Sequence, residues 1–214
     1  LSFQHERRSV LGAPEQDVVN DTLAATYAWT RRDVDSLTNP TRGTLLTLSG
    51  TAGIGRSSVS NFLETGFGRA YGRLNYYLPL SPRDQIILRT EVGYVAVDDP
   101  RVVPNEFLFR TGGVGSVRGY AFQSLGAIDG ESVTGSTSLL VVSAEYVRWL
   151  TEHWGAAAFI DAGDAGNDWP PTPLARGYGL GVRYRTLAGP LAVDVAYAER
   201  TNGVRLALSV AIAF

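Results

Sequence analysis

The sequence predicts an all-β fold, a transmembrane antiparallel β-barrel, and three observations carry that expectation. Bulky apolar residues alternate with small or charged ones along stretches about as long as a tilted membrane-crossing strand. No apolar run approaches the ~20 residues that a membrane helix needs. Tyrosine and tryptophan gather near the ends of the alternating stretches, as in the aromatic girdles of a barrel. A soluble sandwich alternates too. The aromatic placement, and a polar face rich in Gly, Ala and Arg, favour a crowded, wet lumen over open solvent.

About ten strands are expected, near 1–8, 21–33, 43–53, 62–79, 85–97, 138–150, 153–163, 176–187, 190–199 and 204–214. The last is the clearest. Val204, Leu206, Leu208, Val210, Ile212 and Phe214 share one face, while Arg205, Ala207, Ser209, Ala211 and Ala213 share the other. Only a strand separates faces with period two. Leu191, Val193, Val195 and Tyr197 alternate in the same way with Ala192, Asp194, Ala196 and Ala198. Tyr178, Leu180, Val182 and Tyr184 alternate with Gly179, Gly181, Arg183 and Arg185. Upstream, Ile86, Leu88, Val92 and Tyr94 oppose Arg89, Glu91 and Gly93. Turns are marked by Asn39-Pro40, Ser81-Pro82-Arg83-Asp84, Gly189-Pro190 and Thr201-Asn202-Gly203. Trp149 and Trp154 flank another turn and are assigned to the outward girdle. The stretch 98–137 holds no spanning strand, and loops of that length are functional or disordered.

The chain has no cysteine, so disulfides, thiolate metal sites and cysteine nucleophiles are excluded. His5 and His153 do not have metal-ligand spacing, and no metal or cofactor is expected. A formal charge of -2 offers no basic field for nucleic acid. Gly55-Arg56-Ser57-Ser58 is not a nucleophile elbow, and Gly112 to Gly119 lacks the strand-turn-helix frame of a nucleotide loop. Asp161, Asp164 and Asp168 lack the calcium-loop pattern. No catalytic residue is therefore assigned. The first residues read as a strand already under way, without a signal-like region, so the chain is expected to be a piece of something longer.

The long loop contains Leu108-Phe109-Arg110-Thr111-Gly112-Gly113-Val114-Gly115-Ser116-Val117-Arg118-Gly119-Tyr120, and Gly126 follows. The Val-Arg-Gly-Tyr tetrapeptide after a Gly-Gly turn resembles the loop signature of the outer-membrane protein insertase and two-partner secretion superfamily, which includes BamA, TamA and FhaC-type barrels. Ser143-Ala144-Glu145-Tyr146, Phe159-Ile160-Asp161-Ala162-Gly163-Asp164 and Gly179-Leu180-Gly181-Val182-Arg183-Tyr184 look like the family's following strands. Gly189-Pro190-Leu191 with Asp194 looks like its penultimate hairpin, and Arg31-Arg32-Asp33, Asn39-Pro40 and Arg42-Gly43 look like an early barrel turn. The TamA-like branch is favoured.

The resemblance implies a barrel of about sixteen strands preceded by periplasmic POTRA domains. Residues 1–214 would then be the C-terminal part, roughly its last ten strands, with 98–137 as a lumen loop and the POTRA domains outside this chain. It implies a bacterial outer-membrane location in lipid and lipopolysaccharide. It implies outer-membrane proteins or autotransporters as substrates and a TamB-like, periplasm-spanning partner. It further implies that Arg118, beside Val117, Gly119 and Tyr120, folds into the lumen to meet Glu145 and Asp161. Strand parity agrees, since Glu145 lies opposite Val142 and Tyr146, and Asp161 opposite Ile160. Phe214, with Ile212 and Val210, would belong to the terminal signal and to a weak seam between first and last strands. A two-partner secretion pore, the barrel tail of a patatin-like lipase and a plain porin are the competing readings.

Overall fold

A computed structural model describes residues 2–8, 18–58, 64–130, 132–187 and 189–210. The alternating stretches become strands β1 (Ser2–Arg8), β2 (Val18–Val34), β3 (Gly43–Ser57), β4 (Glu64–Pro79) and β5 (Asp84–Ala96). They continue as β8 (Ser138–Trp149), β9 (Trp154–Gly166), β10 (Ala175–Thr186), β11 (Gly189–Ala198) and β12 (Gly203–Val210). These ten make one sheet in chain order, each antiparallel to the next. Such a meander is the wall of an up-and-down barrel. Between β5 and β8 lies a long insertion. It contains a 3-10 turn at Pro100–Val102 and a small hairpin, β6 (Ala127–Asp129) with β7 (Ser132–Thr134).

The faces are inverted relative to a soluble protein. On the outer face Leu180 is 68% exposed and Leu206 74%, whereas Asp161 is 0% and Asp194 3% exposed on the inner face. Apolar side chains point out and charges point in, as lipid outside and a polar lumen inside require. No helix among the described residues is long and apolar enough to cross a membrane. Several strands run further than the alternation indicated. β2 begins at Val18, β3 continues to Ser57 and β9 to Gly166.

The sheet wraps around its own insertion. Phe107, Phe109, Val117 and Tyr120 of the loop share one buried core with Ala24 of β2, Phe67 of β4, Val141 of β8 and Ala198 of β11. A single loop touches β2 and β11 together only if the sheet curls. At the end carrying the short turns, the Asn39 amide donates to the Thr186 carbonyl at 3.0 Å, joining the β2–β3 and β10–β11 turns. Among the described residues, β1 and β12 are each paired on one side only.

One girdle assignment fails. Trp154 is outward and 52% exposed, but Trp149 lies on the lumen side of β8, 8% exposed and packed with Val147 and Ala157. It has the parity of Val147 and Glu145 and follows the pleat, not the girdle.

Candidate lumen-loop anchor

Register builds the site. Arg89 of β5, Ser143 of β8, Asp161 of β9, Gly177 of β10 and Ala198 of β11 occupy one rung across five strands. On the neighbouring rung Glu145 pairs with Phe159, and Phe159 with Gly179. Further along β10, Gly181 pairs with Asp194. All share the inward parity, so three carboxylates converge on one patch of lumen wall.

The loop delivers the cation. Phe109 bridges Ser136, and Thr111 bridges Leu125, so the two limbs of the loop hold each other. Gly112 and Gly113 take φ of +104° and +101°, and the turn closes with Gly113 N–H donating to the Val117 carbonyl at 3.1 Å. The Ser116 hydroxyl accepts from Gly112 N–H at 2.9 Å. Val117 is fully buried and Arg118 is 5% exposed at the tip.

Arg118 forks onto Asp161, with Nε to Oδ2 at 2.8 Å and Nη2 to Oδ1 at 2.9 Å. Its backbone N–H also donates to Asp161 Oδ2, at 3.0 Å. Nη1 donates to Glu145 at 2.6 Å and to Asp194 at 3.3 Å. The guanidinium lies 3.4 Å from the ring centroid of Phe159, a cation–π contact. Burial alone would loosen the proton of Arg118. Hydrogen bonds and charge from Asp161, then Glu145, outweigh that and hold its pKa above the ordinary arginine value. Two parallel hydrogen bonds to one carboxylate fix orientation as well as position.

Further groups complete the cluster. Arg183 donates to Glu145 at 2.8 Å and to Asp194, and Arg89 donates to the Ser116 carbonyl and lies 3.9 Å from Asp161. The Ser143 hydroxyl donates to Asp161. Arg89, Arg118 and Arg183 thus face Glu145, Asp161 and Asp194, and the charges cancel. Buried charge is tolerable only in such balance. Parity put Arg183 and Asp194 on the inner face. Their meeting with Arg118 depends on cross-strand register, which no single strand encodes.

Two loop residues lock the tip to the last hairpin. Gly119 has φ of +94°, and a Cβ there would lie 3.0 Å from Ala198 N. The Tyr120 hydroxyl donates to the Arg176 carbonyl at 3.0 Å and accepts from Arg200 N–H at 3.0 Å. Arg200 in turn donates to Asp164 at 2.6 Å. Tyr120→Phe is expected to cost about 1–2 kcal/mol, two ordinary hydrogen bonds. Faster hydrogen exchange of the Arg200 amide, with β8 and β9 unchanged, would report it.

On the last strand of the sheet, Val210 is outward on β12, opposite Leu191, and 51% exposed. Ile212 and Phe214 lie outside the described residues.

A family model described as the Omp85 superfamily domain matches residues 4–211. The chain belongs to the Omp85 superfamily. Among solved structures it is similar to BamA from Haemophilus ducreyi lacking POTRA domains 1-3, with a TM-score of 0.67 at 18% identity. The match covers 88% of this chain and 41% of that one, so the chain spans about two-fifths of the BamA chain. At that identity the likeness is one of fold. The Omp85 match begins within β1 and contains the other nine strands of the sheet and the whole inserted loop.

Proposed function

We propose that this chain is the C-terminal part of an outer-membrane Omp85 barrel that assists insertion, assembly or translocation of other outer-membrane proteins. The observation that carries the reading is the loop tip pinned by Arg118 to carboxylates on three strands, β8, β9 and β11. An open pore would leave its lumen clear, whereas here the loop occupies the lumen and grips the wall beside the terminal hairpin. The short-turn end faces the periplasm and the long loop enters from the outside, in keeping with outer-membrane barrels generally. Work on a client takes place at the seam edge of the last strand, β12, where an incoming strand pairs by β-augmentation. The role of Arg118, Glu145 and Asp161 is conformational, and no covalent chemistry is asked of them.

Within the superfamily the TamA-like branch fits the motif set best. Its clients would be autotransporters and other outer-membrane proteins, with a TamB-like partner in the periplasm and lipopolysaccharide around the wall. Intact mass and domain content of the native polypeptide test the branch. Three POTRA domains support TamA, five BamA and two a secretion barrel. Reconstitution in lipid vesicles tests the function. The expected result is faster folding of an added barrel client and little conductance. High conductance with no effect on the client would replace this reading with a porin.

A further inference from the structure

Arg118 holds the tip of the loop, but the limbs that carry the tip rest on a different wall. Thr111 and Leu125 exchange two backbone hydrogen bonds, at 2.8 and 2.9 Å, and Phe109 and Ser136 do the same. These closures divide the insertion. Residues 104–111 form a root, and the segment from Gly112 to Ser124 is a lobe hung from it. The lobe meets β8, β9 and β11 through Arg118. The root lies against β4 and β5, the strands that precede the insertion.

Arg69 of β4 makes the root contact. Its Nε donates to the Phe107 carbonyl at 3.0 Å, and its guanidinium lies 4.5 Å from the centroid of the Phe109 ring. Tyr71 shares its inward parity. The Tyr71 ring lies 6.2 Å from that of Phe109 and within 25° of parallel, and its hydroxyl donates to Glu91 at 3.1 Å. On β5, Gly93 gives the ring its room, since a Cβ there would collide with Phe109. A planar guanidinium that stacks on a ring while bonding a backbone carbonyl fixes direction as well as distance. None of these residues belongs to the charge cluster around Asp161. Between the two holds stand Gly112 and Gly113, both at positive φ, where glycine alone turns without strain.

We infer that Arg69 is a second positioning residue for the loop, fixing the root to β4 and β5 while the lobe pivots about Gly112 and Gly113 once the Arg118 fork opens. The lumen then widens beside β8 to β11 and stays filled beside β4 and β5. This second hold concerns the loop alone, so its failure would leave the client-folding assay in vesicles unaffected.

Hydrogen exchange of the folded, detergent-solubilised protein tests it, read by mass spectrometry on peptides of the root, the lobe and β9. In Arg118→Ala the lobe is expected to exchange about tenfold faster, while the amides of Phe109 and Thr111 keep the wild-type rate. In Arg69→Gln the pattern reverses. The root exchanges about tenfold faster, the worth of one hydrogen bond from a charged donor, and the lobe and β9 are unchanged. Arg69→Lys should rescue little, because an ammonium has neither the planar face nor the Nε donor. If Arg69→Gln fails the heat-dependent gel shift of the folded barrel, Phe109→Leu takes its place, removing the ring and leaving the charge. Root and lobe opening together in Arg118→Ala would overturn the inference, because the loop would then be one body. An unchanged root in the Arg69 or Phe109 variant would overturn it too. So would faster exchange throughout the sheet, which would make Arg69 a support of the wall and not of the loop.

Discussion

Arg118→Ala is expected to release the loop tip and to cost the barrel about 3–5 kcal/mol, the usual penalty for removing one partner of a buried ion pair. Asp161 is fully buried and would lose both arms of the fork, leaving the Ser143 hydroxyl, a more distant Arg89 and the backbone N–H of residue 118, which alone does not hold the tip. Glu145 and Asp194 would keep Arg183 alone. Arg118→Lys should recover little, because an ammonium cannot fork onto Asp161 while also reaching Glu145. Two readouts follow: the temperature at which the folded band converts on a gel, and protease cleavage within 98–137. A lower conversion temperature with new cleavage is the expected pair. Unchanged values in the alanine variant would remove Arg118 from any anchoring role.

Gly177→Val should have an effect of similar size without altering a charge. A Cβ at Gly177 would collide with the Arg118 carbonyl oxygen, and both partners are backbone that cannot turn aside. Forced overpacking costs about 1–3 kcal/mol by itself. Here it also lifts the tip, so the fork to Asp161 lengthens and its contribution is lost as well. Gly115→Ala is the control, since a Cβ there meets nothing within 4 Å. Protease sensitivity of the loop should rise in the Gly177 variant and stay at the wild-type level in the Gly115 variant. Equal behaviour of the two would contradict the close approach of loop and wall.

The strands and their faces were legible because alternation is a local property. Leu206 and Asp194 follow the pleat of their own segments, whatever lies across the sheet. Strand ends were less legible. β2 begins at Val18 and β9 runs to Gly166 because pairing with neighbours extends them past the clean alternation. The β6–β7 hairpin, three residues a side, is too short for a periodic signal. A tryptophan at a strand end suggests the outer girdle, but Trp149 has the parity of Glu145 and the pleat turns it into the lumen. Arg118, Glu145 and Asp161 came together in the sequence only through the family resemblance. Arg183, Asp194, Arg89 and Ser143 were not assigned to the cluster, because it depends on cross-strand register. Nor does the sequence reveal that Gly177 is small to admit a backbone carbonyl from the loop.

The most direct test of the lumen anchor is the double variant Arg118→Cys, Asp161→Cys in outer membranes, treated with a short bifunctional thiol reagent. The chain has no native cysteine to confuse the result. A direct disulfide is not required, because disulfide geometry is narrow and a short linker spans a wider range of separations. The anchored loop predicts an intramolecular bridge, seen as a changed gel mobility of the folded barrel that reverses when the linker is cleaved. Absence of the bridge, with both thiols reacting separately with a monofunctional probe, would place the loop outside the lumen and contradict the account.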